Sequence, residues 1–286
     1  LGRRKEKMKA MKEEIEQLKK EKNAVILAHY YVPKEVQEIA DFVGDSYYLS
    51  KKARETEADI IVFAGVSFMG ESAKILNPTK KVLLPDAEAD CAMAHMASAK
   101  KVQEMREKYE DLAVVCYINS TAALKTVSDV CVTSSNAVKI VKALPNRNIF
   151  FIPDENLGSY VAKQVPEKNI LLNDGYCPVH KQITVETVRQ AKAKHSQAEF
   201  LAHPECTEEI LAEADFIGST ADIIHYAEKS SKQEFLIGTE DGVFAELMKK
   251  CPDKRFYSVM QGQCCVDMKK VTLEKVRDCL KEEKYE

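Results

Sequence analysis

Apolar residues along this chain fall into short runs separated by helix-length charged stretches. Three runs open similar segments: Ala24-Val-Ile-Leu-Ala-His29, Ala113-Val-Val-Cys-Tyr117 and Ala198-Glu-Phe-Leu-Ala-His203. A second set reads Asp59-Ile-Ile-Val-Phe63, Asn148-Ile-Phe-Phe-Ile152 and Glu234-Phe-Leu-Ile-Gly238. A third reads Lys81-Val-Leu-Leu84, Asn169-Ile-Leu-Leu172 and Arg255-Phe-Tyr-Ser-Val259. Most of these runs are apolar on both faces and too short for core helices, which predicts buried parallel strands in βαβ units. Pro33, Gly65, Pro85, Pro153, Gly175, Pro204 and Gly238 punctuate the strand ends. Ahead of them, residues 1–23 place Met8, Met11, Ile15 and Leu18 three and four apart among Lys and Glu, predicting an amphipathic helix with one buried stripe.

The segments overlay almost without gaps. Their strand-end residues His29, Tyr117 and His203 lie 88 and 86 positions apart. A hydroxyl follows each at +17: Ser46, Ser134 and Thr220. A cysteine follows at +62, +60 and +62: Cys91, Cys177 and Cys265. The expected fold is therefore α/β: three similar αβα domains with small parallel sheets, related by pseudo-threefold symmetry, with the active site at their central junction. The boundaries fall near 105 and 190, giving repeat 1 with the N-terminal helix at 1–105, repeat 2 at 106–190 and repeat 3 at 191–286. Three independent domains in a row are the alternative; the lack of a flexible linker favours the compact arrangement.

Composition narrows the partners. The 286 residues are 45% hydrophobic and 30% charged with a net charge of −3, which leaves no electrostatic footprint for nucleic acid or an anionic membrane. No run reaches membrane-spanning length and none has the apolar core of a signal peptide, so the expected location is cytoplasmic. Nine cysteines, an odd number widely spread, argue against a secreted disulfide scaffold. Cys116, Cys131 and Cys279 sit in apolar periodic runs and are expected to be buried; Cys206, Cys251 and Cys264 stay open.

The three repeat-equivalent cysteines, Cys91, Cys177 and Cys265, suit an iron–sulfur cluster that keeps one iron without a protein ligand. Zinc held by three cysteines and a water competes, although zinc sites usually draw on close Cys-x-x-Cys pairs, which are missing here. Buried thiols with no metal are the third reading. The hydroxyl set, Ser46, Ser134 and Ser219-Thr220, reads either as ordinary helix N-caps or as an anion-binding collar at helix N-termini. His29, Tyr117 and His203 occupy equivalent strand ends, and His180 lies beside Cys177, so these rings point to function. Glu205, two residues past His203, is a candidate general base if partial burial raises its pKa, or else an ordinary carboxylate.

The ordered runs Ala28-His29-Tyr30-Tyr31, Ala40-Asp-Phe-Val-Gly-Asp-Ser46, Gly65-Val-Ser-Phe-Met69, Pro85-Asp86…Cys91, Tyr117-Ile-Asn-Ser120, Thr133-Ser-Ser-Asn-Ala137, Cys177-Pro-Val-His180, His203-Pro-Glu-Cys206, Gly218-Ser-Thr220, Thr239-Glu240 and Met268-Lys269 resemble the quinolinate synthase family over residues 20–280. The resemblance implies an oxygen-sensitive [4Fe–4S] cluster on the pseudo-threefold axis, ligated by Cys91, Cys177 and Cys265. It implies condensation of iminoaspartate with dihydroxyacetone phosphate to quinolinate, phosphate and water on the way to NAD, with an iminoaspartate-producing enzyme as a possible partner. His29, Tyr31, Ser46, Tyr117, Asn119, Ser134, His180, His203, Glu205, Ser219 and Thr220 would line the substrate cavity. Glu205, Tyr31, Tyr117 and His29 would be the catalytic groups, with Glu205 and Tyr31 foremost in proton transfer.

The last cysteine motif departs from the family's usual Cys-Pro-Asn-Met-Lys. Here Cys265-Val-Asp-Met268-Lys269 follows a second cysteine, Cys264. The Met-Lys register and the +62 offset assign Cys265, with Cys264 the adjacent alternative. Phe68-Met-Gly-Glu-Ser72 stands for the commoner Met-Ala-Glu-Thr. The alternatives to the family activity are an iron–sulfur hydro-lyase acting on a hydroxy acid, and an electron carrier or sensor; a carrier would call for a fully ligated cluster.

Overall fold

Residues 2–284 are described by the structure, a computed structural model. Among them lie three four-stranded sheets, all parallel and flanked by helices. The first holds β1 (Ala24–His29), β2 (Phe42–Gly44), β3 (Ile60–Ala64) and β4 (Lys81–Leu83) in the order β2-β1-β3-β4. The second holds β5 (Leu112–Tyr117), β6 (Val130–Val132), β7 (Asn148–Ile152) and β8 (Asn169–Leu172) in the order β6-β5-β7-β8. The third holds β9 (Glu199–Ala202), β10 (Phe216–Ile217), β11 (Glu234–Gly238) and β12 (Arg255–Ser258) in the order β10-β9-β11-β12.

Each sheet thus has one strand more than the hydrophobic pattern predicts. The additional strands β2, β6 and β10 are two or three residues long, too short to show a period, and they pair along the outer side of β1, β5 and β9. An aspartate anchors each of them. Asp41 accepts from the Ile26 N–H (2.8 Å), Asp129 from Val114 (2.7 Å) and Asp215 from Phe200 (2.7 Å), and each aspartate N–H returns a bond to the same residue's carbonyl. Asp41, Asp129 and Asp215 are spaced 88 and 86 apart, so this clamp belongs to the repeat. A carboxylate satisfies an N–H that so short a strand leaves unpaired.

The chain forms two compact units. The first runs through Cys91 and resumes at Cys265; the second is Ala92–Cys264 and contains the second and third sheets. In the first, helix Gly2–Glu21 packs on helix Leu273–Glu282. Met11 and Ile15 are buried there and Leu18 half-buried, with Met8 exposed at the outer end of the predicted stripe. The facing helix buries Leu273, Val276, Cys279 and Leu280. In the second unit Phe150, Phe151, Phe200 and Phe235 are essentially inaccessible, each adding roughly 1.5–3 kcal/mol of apolar burial.

Cys116 and Cys279 are buried as expected, but Cys131 is exposed. It sits on the edge strand β6, which no further strand covers. Cys206 and Cys251 are buried and Cys264 is half-buried. No helix among the described residues is long and apolar enough to cross a membrane.

Candidate active site

In α/β sheets the groups that meet ligands stand at the carboxyl ends of the strands, where the connections leave the sheet. The second unit shows this arrangement. Tyr117 ends β5, His203 follows β9, and Thr239 follows β11. Glu205, inaccessible to solvent, is the centre on which they converge. Tyr117 Oη donates to Glu205 Oε1 at 2.6 Å. His180 Nδ1 lies 2.8 Å from Glu205 Oε2 and 3.2 Å from Cys177 Sγ, while its Nε2 is 2.9 Å from Thr239 Oγ1. Nδ1–H donates to the carboxylate, which leaves Nε2 facing the Thr239 hydroxyl. Gln263 holds Thr239 in place by donating to its carbonyl oxygen (2.5 Å).

His203 packs its ring 4.8 Å from that of His180. Its Nδ1 accepts the Glu205 backbone N–H at 3.2 Å, so the neutral ring carries its proton on Nε2. Burial pushes the His203 pKa down to about 3, outweighing the nearby Glu205 charge. For Glu205 burial works upward, but His203, His180 and the Tyr117 hydroxyl outweigh it and hold the carboxyl below the usual range. This corrects the expectation of a raised Glu205 pKa: the group is fully buried, and it is surrounded by donors.

His203 has a consequence for acid stability. Its folded pKa lies below the ordinary 6.5, so as pH falls the unfolded chain takes the proton first. Stability is full above about pH 6.5 and falls by up to about 1.4 kcal/mol per pH unit towards the folded value. Glu205 adds loss of the same sign, but only below the ordinary carboxylate pKa of about 4.3. Urea unfolding at pH 6.5 and 5 should therefore show a steeper loss in the unaltered protein than in His203→Gln. Equal slopes would remove this role.

The first unit repeats part of the pattern. His29 ends β1, and its Nδ1 accepts the Tyr31 N–H at 3.2 Å, the same local bond that His203 makes with Glu205. The His29 and Tyr31 rings meet edge-on at 4.5 Å, and Lys269 Nζ donates to the Tyr31 carbonyl at 2.5 Å. Cys91 lies beyond β4, its N–H held by Asp90 (2.8 Å), whose carboxylate also takes the Ser67 hydroxyl (2.5 Å). Cys265 lies beyond β12, its carbonyl accepting the Lys269 N–H at 3.1 Å.

The hydroxyls divide. Ser46 is the first residue of helix Ser46–Glu55, which Asp45 caps, and Ser134 lies in the turn after β6. Thr220 is the buried first residue of helix Thr220–Lys229. Ser219 is that helix's cap, its Oγ in a capping box with Asp222 (2.6 Å), so its side chain is committed to the helix end. Asn119 Oδ1, just past Tyr117, is buried with no hydrogen-bond partner among the described residues, an arrangement that calls for a ligand or water.

A family model described as "Quinolinate synthetase A protein" matches residues 13–286. The chain is 55% identical to the quinolinate synthase of Caldicellulosiruptor saccharolyticus over 276 residues, 96% of this chain and 91% of that protein. It is 56% identical to the quinolinate synthase of Fusobacterium nucleatum over 94% of this chain and 90% of that one. It is 50% identical to quinolinate synthase 2 of Methanosarcina acetivorans over 96% and 88%. The chain belongs to the quinolinate synthetase A family.

For a member of this family the cysteine chemistry can be tested against the structure. All nine cysteines are thiols, and Cys91, Cys177 and Cys265 are each half-buried in the loop beyond the fourth strand of a sheet. Partly accessible thiols on strand-end loops fit a cluster; the inaccessible sulfurs of Cys116 and Cys206 do not. Cys177 also stands with His180 and Glu205 in a group whose donor atoms all lie within 4.8 Å of one another.

Two residues near this group received no role from the sequence. Thr239 Oγ1 meets His180 Nε2 at 2.9 Å; the sequence marked it only by its strand end and by the Thr239-Glu240 motif, with no role attached. Asp154 is inaccessible, with Oδ1 capping helix Glu155–Gln164 through Asn156 (2.8 Å) and Leu157 (3.1 Å), and with Oδ2 buried and unpartnered among the described residues. Burial, then the Glu205 charge, push its pKa well above the ordinary aspartate value. Nothing local distinguishes it from any helix-capping aspartate.

Proposed function

We propose that this chain condenses iminoaspartate with dihydroxyacetone phosphate to quinolinate, releasing phosphate and two waters, in the cytoplasm and on the way to NAD. The observation that carries the reading is the buried relay Thr239–His180–Glu205–Tyr117, with neutral His203 against it. The condensation requires a proton to leave carbon, and protons to reach departing hydroxyl and phosphate oxygens. Glu205 keeps a proton on Tyr117 Oη and on His180 Nδ1, at the mouths of two strand ends. Tyr117 and Tyr31 are the proton donors and acceptors towards substrate, with His203 Nε2–H and His29 orienting its oxygens.

Ser46, Ser134 and Thr220, together with the N–H groups of the helix starts at Ser46 and Thr220, suit the phosphate and carboxylates of the substrates. The orphan Asn119 oxygen suits a substrate N–H or O–H. Cys91, Cys177 and Cys265 would hold a [4Fe–4S] cluster, which when bound supplies an iron lacking a protein ligand that polarises substrate oxygens as a Lewis acid. Iminoaspartate hydrolyses readily as a free imine, so an enzyme that produces it is the expected partner.

The test is anaerobic: protein reconstituted with iron and sulfide should form quinolinate from the two substrates. Full iron and sulfide loading with no quinolinate would reject the reading. The group of Cys177, His180 and Glu205 favours one second reading, a mononuclear divalent metal. Zinc recovered from the purified protein without acid-labile sulfide would support it.

A further inference from the structure

Cys116 and Cys131 play no part in the site just described, yet the fold sets them side by side. Cys116 on β5 and Cys131 on the edge strand β6 are direct register partners in a parallel pair. Neighbouring strands lie about 4.8 Å apart, within the span of roughly 4.4–6.8 Å that a disulfide bridges between Cα atoms. Register partners project from the same face of the sheet, so the two Cβ atoms point the same way.

Their surroundings differ in a manner that suits thiol exchange. Cys131 is exposed, while Cys116 is inaccessible among Val102, Val114, Leu124, Phe150 and Ile152. One sulfur is open to solvent; the other is enclosed by the core. Cys116 Sγ donates to the Tyr117 carbonyl oxygen at 3.4 Å; the neighbouring Cys131, then the Ser120 and Ser128 hydroxyls and Lys125, hold its pKa down to about 7 against the effect of burial. Cys131 is pushed up for the same reason. The two thiols lose their protons as a pair, and the first leaves more readily than that of an ordinary cysteine. Neither cysteine lies near the repeat positions of Cys91, Cys177 and Cys265, and disulfides that form in reducing compartments are typically transient and redox-sensing.

We propose that Cys116 and Cys131 are a reversible dithiol–disulfide site that reacts with small-molecule disulfides of the glutathione type. The exposed Cys131 sulfur attacks the external disulfide as its proton passes to the Cys116 thiolate beside it, forming a mixed disulfide and releasing one small thiolate. That thiolate takes the proton from Cys116, whose sulfur then attacks Cys131 Sγ, forming the cross-strand bond and releasing the second. Two protein thiols lose two electrons and two protons; the external disulfide gains both and leaves as two thiols. A dithiol reductant reverses the sequence. The bond would fasten β6 to β5 one residue before Tyr117.

The experiment uses the cluster-loaded protein, treated anaerobically with oxidised glutathione, alkylated and mapped by mass spectrometry without reduction. The expected result is a peptide pair joined through Cys116 and Cys131, absent after dithiothreitol. Cys131→Ser should abolish it, and Cys116→Ser should trap glutathione on Cys131. Persistent glutathione on Cys131 in the unaltered protein would overturn the proposal, as would finding both thiols unreacted.

Discussion

Glutamine in place of Glu205 is expected to lower the rate of quinolinate formation by roughly 10²–10⁴-fold, the usual worth of a positioned acid–base group. The side chains have nearly the same shape, so packing among Tyr117, His180 and His203 is preserved. What changes is charge and donor count. The carboxylate accepts from Tyr117 Oη at 2.6 Å and from His180 Nδ1 at 2.8 Å; an amide offers one acceptor oxygen and an NH₂. One of those two contacts then sets donor against donor, and the proton kept on Tyr117 or on His180 loses its counter-charge. Removing a buried charge also removes its desolvation cost, so the variant should remain folded. Steady-state assay on protein with unchanged iron content separates this from cofactor loss. A rate within tenfold of the parent would show that the relay is structural.

Serine at Cys265 or Cys177 is expected to abolish both the visible absorption of the cluster and the activity, whereas Cys264→Ser keeps both. A serine hydroxyl stays protonated where a thiol ionises, so it makes a poor cluster ligand. Backbone geometry separates the neighbours. The Cys264 N–H donates to the Gly262 carbonyl at 2.7 Å, in a turn where Gly262 takes φ +80°, a value that favours glycine. The Cys265 carbonyl is held by the Lys269 N–H at 3.1 Å, within the Cys-Val-Asp-Met-Lys run that carries the family register. Iron per chain, measured anaerobically in each variant, decides the matter. Full loading of Cys265→Ser with loss in Cys264→Ser would move the ligand by one residue.

The longer strands and their threefold recurrence were readable because buried parallel strands leave continuous apolar runs, and a repeat multiplies a weak signal. The edge strands β2, β6 and β10 were not. They are held by Asp41, Asp129 and Asp215 reaching back to the neighbouring strand, and no local pattern reports such a partner. Cys131 departs from its expected burial for the same reason: its neighbours along the chain are apolar, but its strand is an edge.

The site divides along the same line. The strand-end residues His29, Tyr117, His203 and Glu205, and the cysteines at matching offsets, follow from local spacing and resemblance to one family. The amino-acid order was enough to say which residue types stand beyond which strands, since strand ends and repeat offsets are local properties. Only the tertiary structure decided the protonation of Glu205, because that depends on His180 and Tyr117, 25 and 88 positions away in the chain. It likewise decided the raised pKa of Asp154, the capping role of the Ser219 hydroxyl and the register pairing of Cys116 with Cys131. Charge state and thiol proximity are set by burial and through-space distance, which the folded chain alone supplies.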